Sequence, residues 1–257
     1  MFDFIQGELF QTLVSDKIYY CHTHDFNEYV HTLPRDREIV LITHNSDGCV
    51  SANPRLIRAN KDADSKMLPS NVIRWFSTNV NVIDPRIESI PIGFENSKWF
   101  PDIQKLKKID ALRGVQPNYK NLLYINHSVI TNIVERIEPY NLFKKVGWCT
   151  LFRGKNGTNF DEYLDNLHSH KFILSPEGNG IDTHRLWEAM VLGTIPIEKR
   201  NINNSFYTDL PICYVDKWSD ITEEFLEKEF TRIKSTSYNL DKLTFSFWKD
   251  RINGTLR

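Results

Sequence analysis

Residues 171–197 combine a pair of closely spaced glycines, Gly178 and Gly180, with many polar and charged side chains, in the sequence KFILSPEGNGIDTHRLWEAMVLGTIPI. A glycine loop before a helix leaves unpaired backbone amides at the positive end of the helix dipole, which favours binding of a phosphate group. Arg185, in the first predicted turn of the helix, can add a charge-assisted hydrogen bond to a diphosphate. Glu188 follows three residues later on the same helix face, where it can accept hydrogen bonds from ribose hydroxyls.

A plainer interpretation is a buried β-α-β unit in which Arg185 and Glu188 pair only with each other. The crowding of polar residues around the two glycines favours a ligand site instead. The predicted binding residues of this segment are Glu177, Gly178, Asn179, Gly180, Asp182, Arg185 and Glu188.

The elements that must position these residues are predicted from local pattern. The apolar residues 172–174 predict a buried strand, and residues 195–197 predict the next strand. Between them, Asp182 or Thr183 is the expected N-cap of a helix, and Gly193 is expected to end that helix in a left-handed conformation. In an open parallel sheet, a loop of this kind lies at the carboxyl ends of the strands, where ligands bind.

The segment SPEGNGIDTHRLWEAMVLGTIPI resembles the donor-site signature of exostosin-like glycosyltransferases, notably the short forms from algae, viruses and bacteria. More broadly, WEAMVLGTIPI is similar to the Glu-Ala-Met-x-x-Gly-x-Pro segment near the end of many GT-B glycosyltransferases. The resemblance implies that Glu188 holds the nucleotide ribose. The usual partner carboxylate of those enzymes lies eight residues earlier, whereas here Glu177 lies eleven and Asp182 six residues earlier. Which acid touches the donor sugar therefore stays open.

The resemblance implies an α/β protein of the GT-B class, with two Rossmann-like lobes and a donor and acceptor cleft between them. We expect residues 1–105 to form the acceptor-side lobe, residues 106–240 the nucleotide-sugar lobe, and residues 241–257 a helix that crosses back. The implied reaction moves a sugar from a nucleoside-diphosphate sugar, with a uridine nucleotide favoured, to a hydroxyl of a glycan or glycoconjugate. We expect inversion of configuration, no cofactor and no metal ion.

A second strand-loop-helix unit is predicted in NLLYINHSVITNIVER, which is similar to the family segment that faces the donor across the cleft. The donor contacts implied there are Asn126, Thr131 and Arg136. Pairing of Arg136 with Glu135 or Glu138 is an equal alternative. Arg153 lies in a polar loop before the next predicted helix, where it can clamp a diphosphate bidentately.

Polar clusters follow two predicted strands near the N-terminus. The strand at 38–43 runs into HNSDG, and PIGFEN ends the strand at 87–92. Inverting transfer requires a base that accepts the proton of the attacking hydroxyl. Asp47 is the first candidate because ITHNSDG is similar to the corresponding motif of the short exostosin-like enzymes, and His44 and Glu95 are the other candidates. An ordinary Asp-Gly turn is the alternative for Asp47.

Two further motifs suggest metal binding. His22, His24 and Asp25 form the cluster HTHD, but a clear additional ligand is missing, so no metal site is expected there. Asp62 and Asp64 match the Asp-x-Asp of metal-dependent transferases, yet they lie in the polar stretch NKDADSK, which predicts a solvated loop.

Net charge, cysteine content and the length of apolar runs limit which classes of function fit the sequence. The formal net charge of −1 argues against duplex DNA as the main partner. A phage-type transferase that glycosylates a modified DNA base, and a non-catalytic nucleotide-sugar-binding module, are the alternative hypotheses. Four scattered cysteines, no basic-then-apolar leader and no run of roughly 20 apolar residues predict a cytoplasmic protein without membrane insertion.

Overall fold

The computed structural model describes residues 2–54, 56–57, 60–98, 103–152 and 159–256. Its strands are, in chain order, β1 (Ile18–His22), β2 (Ile39–His44), β3 (Val50–Ser51), β4 (Leu56–Ile57), β5 (Asn60–Lys61), β6 (Ala63–Asp64), β7 (Val72–Ser77), β8 (Val80–Asn81), β9 (Ile87–Ser89), β10 (Asn121–Ile125), β11 (Cys149–Leu151), β12 (His170–Leu174), β13 (Ile195–Lys199) and β14 (Cys213–Val215). The α-helices are α1 (Phe26–Tyr29), α2 (Ile103–Arg113), α3 (Ile133–Phe143), α4 (Phe160–Ser169), α5 (His184–Val191), α6 (Glu223–Ser235) and α7 (Phe245–Gly254). Short 3-10 helices span Gly7–Leu13, Thr23–Asp25, Val30–Thr32, Ser65–Met67, Val129–Thr131, Asn203–Tyr207, Trp218–Asp220 and Leu240–Leu243.

The first half of the chain builds a parallel sheet with the strand order β1-β2-β7-β9, which we call the N-terminal sheet. Every residue of β2 is buried, and the apolar run at its start, residues 39–42, is expected in a sheet covered on both faces. The predicted strand at 87–92 is shorter than expected, because β9 ends at Ser89. Pro91 follows, and it has no N–H with which to continue the ladder.

The Asp-x-Asp segment differs from the predicted solvated loop. Ala63–Asp64 is strand β6, which pairs in parallel with β3 in a small sheet of order β6-β3-β8. Asp62 is buried, and its Oδ1 accepts a hydrogen bond from the backbone N–H of Cys49 at 2.9 Å. The carboxylate of Asp62 therefore braces the turn after β2, a long-range contact that the polar composition of the segment does not reveal.

The second half builds the C-terminal sheet, a parallel sheet with the strand order β11-β10-β12-β13-β14. The predicted strands at 172–174 and 195–197 are confirmed as parts of β12 and β13. Gly193 follows α5 with φ +81°, and its N–H and that of Thr194 donate to the carbonyls of Met190 and Ala189. This pair of bonds is a Schellman cap, so the predicted left-handed end of the helix is also confirmed.

The whole is an α/β structure with parallel sheets, compatible with Rossmann-like lobes. One hydrophobic cluster runs from Ile42 and Phe76 of the N-terminal sheet through Trp187 to Tyr124 and Ile173 of the C-terminal sheet. Both sheets therefore share a core.

The last helix, α7, lies against the first half of the chain. The guanidinium of Arg251 donates to both carboxylate oxygens of Glu88 at 3.0 Å, and the backbone N–H of Ser246 donates to Asp3 at 2.7 Å. None of the helices in the described ranges has the length and apolar character needed to cross a membrane.

Candidate functional site

Two neighbouring cavities lie where the loops after the strands of both sheets meet. The N-terminal cavity has a volume of about 560 Å³ and includes residues of the HNSDG and PIGFEN turns. The C-terminal cavity has a volume of about 480 Å³ and is lined by the glycine loop and the first turn of α5. The residues common to both linings are Asp47, Ile92, Glu95 and His184. The two compartments therefore form one cleft with a shared wall.

Arg185 projects from the first turn of α5 into the C-terminal cavity. Its Nε is buried, yet within the described part of the chain it has no hydrogen-bonding partner. The alternative pairing with Glu188 is not formed; Oε2 of Glu188 instead accepts a hydrogen bond from the Tyr163 hydroxyl at 2.6 Å. A buried guanidinium N–H without an acceptor is costly, so this side chain is poised for an anionic ligand.

Arg136 is largely buried beside the same cavity, where its guanidinium braces two loops. It donates to the carbonyl oxygens of Glu177 at 2.8 Å and Ser128 at 3.0 Å. It does not pair with Glu135, which forms an ion pair with Lys199. Burial, and to a smaller extent the charge of Arg185, lowers the pKa of Arg136 to about 10, so the group stays charged at neutral pH. Arg136 thus adds positive potential to the cavity while holding the glycine loop.

The two glycines are explained by side chains that approach the loop closely. Neither Gly178 nor Gly180 has a positive φ, unlike Gly193. A Cβ at Gly178 would lie 2.8 Å from Nη2 of Arg136, and one at Gly180 would lie 2.7 Å from Nδ2 of Asn79. Both glycines also line the C-terminal cavity. The close approach expected for a ligand is therefore made, in part, by groups of the protein itself.

Asp182 joins the two halves of the cleft and also lines the C-terminal cavity. Its buried carboxylate accepts hydrogen bonds from the N–H groups of Ile92 at 2.8 Å, Thr183 at 2.8 Å and the Trp187 indole at 2.9 Å. Its own N–H donates to Oδ1 of Asn79 at 2.8 Å. Burial raises the pKa of Asp182 to about 6, opposed by these hydrogen bonds. Asp182 therefore fixes the cleft, and its contact with the donor stays a prediction.

Glu177 lies apart from the C-terminal cavity. Its side chain faces a separate cavity of about 370 Å³ behind the glycine loop, and its Oε1 accepts a hydrogen bond from Asn201 at 3.2 Å. Of the two candidate partner acids, Asp182 lines the C-terminal cavity and Glu177 does not; the third acid of this segment, Glu188, is also on that lining. Tyr163, which the sequence reasoning missed, fixes that carboxylate.

The remaining predicted binding residues divide into two groups. Asn126, Thr131 and Asn179 line the C-terminal cavity, and the Asn126 amide donates to the Tyr124 hydroxyl at 2.8 Å. Arg153 lies outside the described residues.

His127, which was not among the predicted residues, lies beside the two arginines. Burial, and then the charges of Arg185 and Arg136, lower the pKa of His127 to about 3. The imidazole is therefore neutral at physiological pH. Burial is the main cause of this low pKa, and the two guanidinium charges add to it.

His44 is a structural residue and lines neither cavity. Its Nδ1 accepts the backbone N–H of Asn45 at 2.7 Å, and its Nε2 donates to the carbonyl of Pro91 at 2.9 Å. Burial lowers the pKa of His44 to about 4. With both nitrogens occupied and no access to the cleft, His44 cannot take a proton from a bound hydroxyl, so it is withdrawn as a candidate base.

The shared wall holds the other two candidate bases. Asp47 and Glu95 each face both cavities. Oε2 of Glu95 lies 3.4 Å from Nε2 of His184, whose Nδ1 donates to the carbonyl of Gly93 at 2.7 Å. No local pattern links His184 to Glu95, because they meet only through the packing of one sheet's loops on the other's.

The cleft therefore offers a cationic compartment for an anion, a positioned carboxylate for hydroxyl groups, and acids or an imidazole on the wall between two compartments. In comparisons with known proteins, no family model and no curated protein sequence matches this chain.

Proposed function

We propose that this protein is a glycosyltransferase of the GT-B class that binds a nucleoside-diphosphate sugar in the C-terminal cavity. The observation that carries the proposal is Arg185, whose buried Nε lacks an acceptor among the described residues and lies at the N-terminus of α5. A diphosphate oxygen would satisfy this N–H and interact favourably with the helix dipole. The charged Arg136 close by would add to the attraction.

The sugar nucleotide would extend from the diphosphate along the same wall. Glu188 lies one helical turn after Arg185 and faces the same cavity. Tyr163 orients its carboxylate and leaves oxygen lone pairs for the ribose hydroxyls. We favour a uridine nucleotide from the family resemblance.

The acceptor would occupy the N-terminal cavity, with its hydroxyl at the shared wall. Asp47 is the first candidate for the base, and the Glu95 and His184 pair is the second. The base takes the hydroxyl proton as the oxygen attacks the anomeric carbon, and the bond from that carbon to the diphosphate breaks with inversion. Arg185 and the amides of α5 would stabilise the negative charge that develops on the leaving nucleoside diphosphate, without a metal ion there.

A glycan hydroxyl suits the N-terminal cavity better than a DNA base. Among the described residues, its lining includes the carboxylates of Glu8, Asp47 and Glu95 and the amine of Lys98. Such a surface repels a phosphate backbone, which needs several basic contacts. The four cysteines are present as thiols, which favours a reducing compartment such as the cytoplasm.

The test is incubation with a panel of nucleotide sugars and glycan acceptors, with and without EDTA, while release of nucleoside diphosphate is followed. We expect release that EDTA does not abolish. Asp47→Asn should lower the transfer rate by about 100-fold or more, because it removes a general base, while the affinity for the nucleotide stays within about twofold. Release that requires added manganese would contradict a metal-free diphosphate site, and a module that binds nucleotide sugars without turnover would exclude an enzyme.

A further inference from the structure

Two histidines and an aspartate converge where β1 ends. His22 is the last residue of β1, and His24 and Asp25 lie in the 3-10 helix that follows. Nδ1 of His22 is 3.7 Å from Oδ2 of Asp25, and Nε2 of His24 is 3.6 Å from Oδ1 of the same carboxylate. One nitrogen or oxygen atom from each of the three residues lies within 4.8 Å of the other two.

These separations are close to those of ligands on one metal ion. Two donor atoms bound at about 2.0–2.2 Å with tetrahedral or octahedral angles lie roughly 3–3.6 Å apart. The observed distances of 3.7 Å and 3.6 Å need to shorten by only a few tenths of an ångström. The two distances involve different oxygens of Asp25, and the three donor atoms lie within 4.8 Å of one another, so side-chain rotation would complete the shell.

The backbone that carries the cluster is firmly anchored. Thr23 is fully buried between the two histidines, and buried Phe26 stacks on Trp75 with ring centroids 4.2 Å apart. The Asn27 amide ties this turn to β6: its Nδ2 donates to the carbonyl of Asp62 at 3.0 Å, and its Oδ1 accepts from Asp64 at 2.8 Å. Anchors within the cluster and directly after it limit its motion, so little conformational entropy is lost when an ion binds.

Ion pairing alone contributes too little stability to account for the proximity of these three side chains. The side chains of His22, His24 and Asp25 are 42%, 31% and 56% exposed. Ion pairs at such positions contribute about 0–1 kcal/mol. The same exposure leaves an open path for an ion from solvent.

We propose that His22, His24 and Asp25 bind a divalent transition-metal ion, with Zn²⁺ as the representative. Two neutral imidazoles and one carboxylate form a donor set that binds zinc, copper or nickel ions in preference to magnesium or calcium ions. Three protein ligands leave coordination positions open. His22 lines the N-terminal cavity, so the ion would lie at the edge of that cavity, away from Arg185. This inference rests on its own geometry and is independent of the proposed sugar transfer.

The test is a calorimetric titration of the EDTA-stripped, dialysed full chain with Zn²⁺. We expect one tight site per chain, weakened by more than about 100-fold in His24→Ala and in Asp25→Ala, because losing a ligand costs more than the 10–100-fold of an outer-sphere change. The matched control is His31→Ala, which removes an exposed histidine in the next turn and should leave the affinity unchanged. If the metal-free variants unfold at the same temperature as the metal-free parent, the loss of Zn²⁺ affinity is local to the site.

Copper provides a second readout on the same proteins. The electron paramagnetic resonance spectrum of the Cu²⁺-loaded chain should show coupling to two nitrogens, reduced to one in His24→Ala. The inference is overturned if the parent binds Zn²⁺ no more tightly than His24→Ala, or if His31→Ala weakens binding equally. Uridine diphosphate affinity in EDTA should be the same for the parent and His24→Ala, so failure of either proposal leaves the other standing.

Discussion

The N-terminal and C-terminal cavities meet at a shared wall but differ in the charge beyond it. The C-terminal cavity is lined by Arg136 and Arg185, and burial, followed by the charge of Arg185, lowers the pKa of Arg136. In the N-terminal cavity the amine of Lys98 faces the carboxylate-rich lining that includes Glu8. A diphosphate would bind on the cationic C-terminal side, whereas a neutral hydroxyl needs no such charge. The charge difference would therefore determine which cavity takes the donor and which takes the acceptor.

The two sides also differ in how their polar groups are held. Behind the N-terminal cavity, His44 is sealed between backbone groups and carries no chemistry of its own. Beside the C-terminal cavity, glycines admit the side chains of Arg136 and Asn79 against the loop. A polar residue at the end of a strand can therefore stabilise the fold instead of contacting a ligand.

We expect the largest loss of stability when Asp182, which links the two halves of the cleft, is replaced. Asp182→Ala leaves the N–H groups of Ile92 and Trp187 buried without an acceptor, so we expect a loss of about 3 kcal/mol or more in the free energy of unfolding. Urea unfolding measures it. The control is Asp216→Ala, which removes an exposed carboxylate paired with Arg200 and should change stability by less than about 0.5 kcal/mol. Equal midpoints for the two variants would contradict the role of Asp182.

A second prediction concerns the N-terminal side, where the stability contributed by His44 should depend on pH. The pKa of His44 is lowered from 6.5 to about 4, so its stabilisation is present above pH 6.5 and is lost as the pH falls towards 4. We expect the stability advantage of the parent over His44→Gln to shrink by about 3 kcal/mol between pH 7 and pH 4. Asp182, whose pKa is raised, acts in the opposite direction over part of this range but cancels in the difference. A pH-independent difference would show that His44 titrates normally.

The smallest effect concerns how Glu188 is held on the C-terminal side. Tyr163→Phe removes the 2.6 Å hydrogen bond to its carboxylate, and we expect uridine diphosphate affinity to fall by about tenfold. Inorganic pyrophosphate affinity should stay unchanged, because the carboxylate is proposed to contact the ribose. Tyr29→Phe, in α1, is the matched control. If both ligands weakened equally, Tyr163 would act on the diphosphate site as a whole.

Local patterns predicted the strand at β2, the helix α5 and its glycine cap, because each depends on neighbours in sequence. They did not reveal that His44 is sealed, that Asp62 braces a turn, or that Asp182 spans the cleft. Each of these roles depends on a partner from another strand or loop, such as Pro91 for His44 and Ile92 for Asp182. The pairing of His184 with Glu95 and of Tyr163 with Glu188 lies beyond sequence reasoning for the same reason.

Arg185, on the C-terminal side, is proposed to receive the diphosphate. The most direct test of this contact is a calorimetric titration of uridine diphosphate, in EDTA, into the parent, Arg185→Ala and Lys98→Ala. We predict that Arg185→Ala weakens binding by about 100-fold, since it removes a buried charge-assisted contact, while Lys98→Ala, which removes the same charge from the acceptor side, changes it by less than about threefold. Binding by Arg185→Ala as tight as that of the parent would contradict the account.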